Sequence, residues 1–479
     1  MLFNSIEFII FLPIVFLLYW FVFKPLKRQN LFIVIASYVF YGWWDWRFLT
    51  LIAFTTLCSY YSGVLIEKAE TDRKRQRIIS TVNICLNLLI LGFFKYFNFF
   101  GENFSELMNL FGLKADWITL DILLPVGISF YTFQAISYTI DICQKKIKAT
   151  HDIIAFFAFV SFFPQLVAGP IERATNLLPQ FLNKRHFNYE NAVDGLRQIL
   201  WGFFKKMVVA DNCAIVVNTI FSNYEQYDGM TLFLGAFLFT FQIYGDFSGY
   251  SDIAIGTARL FGINLMRNFN FPYFSRNIAE FWRKWHISLT SWFRDYVYIP
   301  LGGSRVGKWK IVRNTFIIFL VSGFWHGANW TFICWGAYHA LLFLPLILTS
   351  KNTKFKNIVA NNKYLPSIKE TIQIFSTFIL VLIGWIFFRA ESIQDAWDYI
   401  FLMVSNFQFN IPDIGGRPLF FIALLILVEW LQRNKQHALQ ISSVLVFKYR
   451  LVRYLFYYIM LLIISIFAGQ QATFIYFQF

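Results

Sequence analysis

The sequence predicts an all-α, polytopic transmembrane protein of about 11 or 12 membrane segments, with re-entrant and interfacial helices beside them. Three observations carry this reading. Apolar residues make up 57% of the 479-residue chain and charged residues only 14%, against about 25% charged in an ordinary soluble domain. Four stretches, Phe8–Phe23, Ile153–Ile171, Asn314–Ser350 and Tyr454–Phe479, contain no Asp, Glu, Lys or Arg. Basic residues gather between the apolar segments, and the remaining loops are neutral or acidic.

Phe8–Phe23 lacks a basic stretch ahead of it and a small-residue cleavage site after it, so it reads as a retained first helix rather than a signal peptide. Basic groups follow at Lys24 to Arg28, Arg73 to Arg77, Lys145 to Lys148, Lys351 to Lys369 and Arg433 to Arg453. The segment Ile263–Arg313 carries nine basic residues against two acidic ones. Acidic loops intervene at Glu102 to Asp116, Glu225 to Asp228 and Glu391 to Asp398. This alternation is the positive-inside pattern, which puts the basic loops in the cytoplasm and both termini on the far side. It also disposes of the nucleic-acid partner that a net charge of +15 would otherwise suggest. Ile153–Ile171 holds Pro164 and Gly169-Pro170 and is expected to be re-entrant. Asn314–Ser350 is long enough for two passes.

No Gly/Ser or Pro-rich linker divides the chain, so residues 1–479 are expected to form a single domain. Within it, residues 264–313 alternate aromatic and basic side chains, as suits helices lying in the cytoplasmic interface. Residues 470–479 form a flexible, uncharged aromatic tail placed outside. The five cysteines show no CxxC or paired spacing, so neither a disulfide framework nor a metal site is indicated. GxSxG, Walker A, GxGxxG and HExxH are absent, which removes the usual support for hydrolase, nucleotide and zinc-protease readings.

Polar residues at membrane depth are costly and therefore candidates for function. His326 lies in Val321–Trp330 (VSGFWHGANW), about 18 Å along a helix counted from Asn314. A neutral imidazole there can act as a base, while Trp325 and Asn329 would line a cavity beside it. A histidine that only bridges helices fits the residues equally well. His286, in Phe281–Thr290 (FWRKWHISLT), accompanies Arg276, Arg283 and Lys284, which would hold a phosphate-bearing donor such as coenzyme A. The alternative is an interfacial helix touching anionic lipid. Asp246 and Ser248, with Asp252 in the same glycine-broken stretch, would either line the cavity or bridge helices. His339, 13 residues past His326, would face elsewhere on a continuous helix and reads as structural.

Five stretches in order along the chain resemble the membrane-bound O-acyltransferase (MBOAT) family, in the branch containing the bacterial alginate O-acetyltransferases. They are Leu124–Phe133, Phe163–Arg173, Asp246–Asp252, Trp292–Ser304 and Gly323–Gly327. The resemblance implies an MBOAT-like fold in a bacterial inner membrane, with His326 as the catalytic histidine and His286 at a second signature position that carries His or Asn. It implies no bound cofactor. The donor would be acetyl-CoA or another acyl thioester, such as an acylated carrier protein, and the acceptor an exported polysaccharide. Membrane lipid surrounds such an enzyme, and an extracytoplasmic SGNH-type, esterase-like partner would complete the transfer. Tyr476 resembles the tyrosine of aromatic C-terminal acyl-relay motifs; an interfacial anchor is the plainer reading. A transporter or flippase would show internal repeats and intramembrane charged pairs, neither visible in the sequence. A protein or lipid acylase would use the same His326.

Overall fold

A computed structural model describes the chain except residues 114–116, 118, 168, 362, 410–415, 442–448 and 476–479. Every regular element among the described residues is helical. Among the described residues, six helices are long and apolar enough to cross a membrane: Trp46–Lys68, Arg73–Leu110, Gly229–Leu260, Trp330–Leu348, Ile368–Arg389 and Arg450–Phe467. The expected 11 or 12 segments exceed this number because other apolar stretches fall short individually. Ile6–Val22 is too short, and Lys308–His326 opens with Lys308, Lys310 and Arg313.

The chain divides into two compact units, one of Met1–Ala192 with Thr257–Met266, the other of Val193–Gly256 with Arg267–Phe479. The boundaries at 192 and 256 fall inside the helices Tyr189–Phe203 and Gly229–Leu260, so no linker composition marks them.

In the first unit, Ile128–Cys143 is the central helix, with fourteen of its sixteen residues buried. Its polar side chains are absorbed locally, as where Ser137 donates to the Gln134 carbonyl at 2.8 Å. Gly127 starts it at φ 75°, and a Cβ there would meet the Leu166 carbonyl oxygen at 2.3 Å. Only glycine accepts both conditions. Asp152 caps Ile153–Ser161, which stops at Phe162 and resumes as Phe163–Leu166. Nine residues rise about 14 Å, less than half a bilayer core, so this stretch is broken as Pro164 led us to expect.

In the second unit the uncharged run Asn314–Ser350 forms a helical hairpin, Lys308–His326 and Trp330–Leu348. Glycines let its arms touch. A Cβ on Gly323 would lie 2.2 Å from the Phe332 carbonyl oxygen, and one on Gly336 2.3 Å from that of Phe319. The small residues beside His326 thus serve a close helix. Asn329 caps the second arm by accepting from Thr331 N–H and donates to the Glu391 carbonyl. It is a helix cap.

The segment 264–313 departs in part from the interfacial expectation. Phe281, Trp282, Trp285 and Leu289 are buried, as is Glu280 among them, whereas Trp309 is exposed. The aromatic half of the alternation is absorbed by the core of the unit.

Candidate active site

His326 ends the first arm of the hairpin and is buried. Its ring centroid lies 5.0 Å from Trp325, 5.1 Å from Trp335 and 5.3 Å from Phe388. The cage is aromatic on these three sides.

His286 lies 6.5 Å from His326, centroid to centroid, with the rings inclined at 53°. It is buried too, against Phe247 at 4.6 Å and Trp325 at 6.0 Å. The residue joins two short helices, Ile278–Lys284 and Ile287–Phe293, at φ 42° and ψ 54°. That left-handed conformation suits few side chains, and His and Asn are among those enriched there. Histidine and asparagine can both adopt this backbone. Asn268, fully buried, secures the turn: its carbonyl accepts from Ile287 N–H at 2.8 Å, and its side chain takes the Ser288 hydroxyl at 2.9 Å. Burial pushes the His286 imidazole down to about 3, so it is neutral and can donate one N–H. A single reacting centre within about 3 Å of both rings fits a separation of this size.

His339 corrects one assumption. The helix is interrupted at Gly327, so the 13-residue spacing does not rotate His339 away from His326. Both rings contact Trp335 at 5.1 Å, one from each arm. His339 accepts from the Trp282 indole N–H at 3.4 Å, which agrees with a structural role. The Trp335 N–H is buried without a partner among the described residues. An orphan donor next to His326 is a feature that residue spacing alone did not reveal.

The other predicted residues are placed as follows. Arg276 pairs with Glu280 at 3.0 Å and Glu370 at 3.3 Å and reaches the Asn357 carbonyl. Arg283 donates to the carbonyls of Asn352 and Phe355, both at 2.7 Å. Lys284 meets Glu280 at 2.9 Å. All three proposed donor-binding cations are engaged by the protein itself. Trp325 is in the cage. Asp246 pairs with Lys206 at 2.7 Å, and Ser248 accepts from Lys205 at 2.9 Å, so both bridge elements. Tyr476 lies outside the described residues. The tail leading to it is packed against the protein: Phe474 and Ile475 are buried, and Ile475 N–H donates to Asp246 at 2.7 Å.

Buried charged pairs, taken as invisible in the sequence, are present. Lys206 lies 2.8 Å from Asp211 as well as 2.7 Å from Asp246, and Lys205 contacts Asp252 at 2.5 Å. The signal was Lys205-Lys206 inside an otherwise apolar stretch, where two unpaired ammonium groups would be prohibitive. Among the described residues no group of three or more His, Cys, Asp or Glu could hold a metal ion.

Comparison with known proteins agrees with the geometry. Residues 40–384 match the model of the MBOAT, membrane-bound O-acyltransferase family. The chain is 40% identical over 416 residues to "Probable alginate O-acetylase AlgI" of Pseudomonas aeruginosa, covering 87% of this chain and 77% of that one. It is 32% identical to "Peptidoglycan O-acetyltransferase" of Helicobacter pylori, over 100% of this chain and 98% of that one. "Teichoic acid D-alanyltransferase" of Bacillus subtilis matches at 29%, over 56% and 69%. The chain belongs to the membrane-bound O-acyltransferase family and is an acyltransferase.

Proposed function

We propose that the protein transfers an acetyl group from a cytoplasmic thioester, acetyl-CoA, through the bacterial inner membrane for O-acetylation of an exported or cell-envelope polysaccharide. The observation that supports this most is the pairing of two buried histidines 6.5 Å apart in an aromatic enclosure. Acetyl is favoured over other acyl groups because the relatives of higher identity are named for acetylation. The positive-inside pattern sets the basic loops, and with them the donor, on the cytoplasmic side.

In this mechanism His326 takes the proton of an incoming hydroxyl as its oxygen attacks the thioester carbonyl. The new C–O bond forms, and the carbonyl oxygen gains negative charge, stabilised by the N–H of His286 and by the indole N–H of Trp335. Collapse breaks the C–S bond, and the imidazolium returns the proton to the departing thiolate. A dry site strengthens each of these contacts. An extracytoplasmic esterase-like partner then carries the acetyl group to the polymer.

Buried charged pairs are also a property of transporters; here one of them, Lys206 with Asp246, ties the chain end to a helix. The test is O-acetyl content of surface polysaccharide in cells carrying wild type or His326→Ala at matched membrane expression. Loss is expected, and unchanged acetylation would remove His326 from the chemistry.

A further inference from the structure

The end of the described chain is held by more polar contacts than packing alone requires. After the helix Arg450–Phe467, the Phe467 carbonyl accepts from the Asn212 side chain at 2.8 Å. Gly469 N–H donates to the Met207 carbonyl at 2.9 Å, and Lys206 donates to the Ala472 carbonyl at 3.1 Å. Ile475 N–H then donates to Asp246. Lys206, Asp211 and Asp246 are each at most 3% exposed. Ions buried to this degree are rarely neutral in cost, and hydrophobic replacements often stabilise as well or better. Stability alone is thus a poor reason for the cluster.

Its geometry offers another reason. Phe474 packs on Tyr250 at 4.4 Å and on Phe247 at 6.1 Å. Phe247 in turn meets the His286 ring edge to face at 4.6 Å. One line of contacts therefore runs from the ionic cluster through the chain end and Phe247 to the histidine pair. Gly469 fits the same plan. A Cβ there would lie 2.8 Å from the Asp211 carbonyl carbon and 2.9 Å from Asn212 N, both backbone atoms that cannot yield.

We propose that Lys206, Asp211 and Asp246 are positioning residues: they clamp residues 468–475 so that Phe474 backs Phe247 and fixes the orientation of His286. The proposal rests on the reading of His286 and His326 as the reacting pair. The clamp and the chemistry lie on different residues, so each can be broken alone.

The test introduces a thiol into the tail by Ile475→Cys and measures its maleimide labelling by peptide mass spectrometry in native membranes. This is done alone and with Asp246→Ala, Asp246→Asn or Gly469→Val. Polysaccharide O-acetylation and CoA release from acetyl-CoA are followed at matched amounts of folded protein. Asp246→Ala should expose the introduced thiol and cut the maximal rate about 10²-fold, the cost of a misplaced reacting group, with half-saturation by acetyl-CoA unchanged. Asp246→Asn keeps an oxygen for the backbone N–H of position 475 and should recover much of the rate. Gly469→Val should reproduce the Ala variant from the tail side, without touching a charge, if Asp246→Ala fails to fold. A labelled thiol with full acetylation would overturn the clamp, as would a thiol that stays shielded in both Asp246→Ala and Gly469→Val. His326→Ala run in parallel keeps the tail in place. If it also keeps acetylation, the reading of the histidine pair fails whatever the tail does.

Discussion

Two buried regions of the second unit solve opposite problems. Around His326 the contacting rings are Trp325, Trp335 and Phe388, and the nearest other imidazole is neutral. Around Lys205 and Lys206 the contacts are three aspartates within 2.8 Å. Trp325, Trp335 and Phe388 carry no formal charge, whereas a cage of counter-charges fixes ions in one arrangement and removes their reactivity. The protein separates the group that must change its proton from the groups that must not.

Breaking the first region should abolish activity and spare the fold. His326→Ala is expected to lower acetyl transfer by about 10²–10⁴-fold, the contribution of a general base, with the melting temperature of the solubilised protein little changed. A large loss of stability with activity per folded molecule intact would reverse the assignment. His286 gives the next effect. His286→Ala removes an oxyanion donor, worth about 10²–10³-fold in kcat, and puts a residue poorly suited to φ 42° at the turn. His286→Asn retains a donor and tolerates the turn, so its kcat should fall much less. Equal losses in the two variants would mean that the ring itself, rather than the turn and its N–H, is required.

Breaking the second region at Lys205, outside the clamp on the chain end, should do the reverse. Lys205→Met leaves Asp252 and the Ser248 hydroxyl without their cation. An uncompensated buried charge costs about 3–5 kcal/mol, so thermal unfolding should shift down sharply. The kcat of the surviving folded protein should stay at the wild-type value. A normal melting temperature with lost activity would place Lys205 in the chemistry and blur the contrast between the two regions.

The two regions also differed in how far the sequence disclosed them. The hairpin was legible because 37 residues without Asp, Glu, Lys or Arg, Asn314–Ser350, have few alternatives to two apolar helices. His326 stood out as the polar exception, and the FWHG and FWRKWH stretches named both histidines. What pattern could not supply was the bend at Gly327, which brings Trp335 against His326. Nor could it supply the destinations of the charges. Arg276 and Lys284 read as ligand-binding because they are cations near His286, and the fold shows that Glu280, four residues from each, accepts from both. Lys206 finds Asp246 forty positions away, a pairing that depends on how two helices pack and has no local signature. For the same reason the tail was expected to be flexible, since the partner of Ile475 N–H is Asp246, 229 residues earlier.

The finest distinction concerns His286 and acid. Outside the six candidate spans, its imidazole is pushed by burial from 6.5 to about 3. Between those values the unfolded chain binds a proton that the folded chain refuses, so stability rises with pH across that window and is lost as pH falls through it. Phe247, Phe269 and Trp325 pack against the ring, and His326 lies 6.5 Å from it. The melting temperature of the wild type should therefore decline on acidification below pH 6.5, with this residue contributing at most about 1.4 kcal/mol per pH unit. His286→Asn removes that one titration and should show a shallower decline between pH 6.5 and 4. An unchanged slope would mean that the ring takes up its proton in the folded state. His286 would then titrate as an ordinary imidazole, able to exchange a proton near neutral pH.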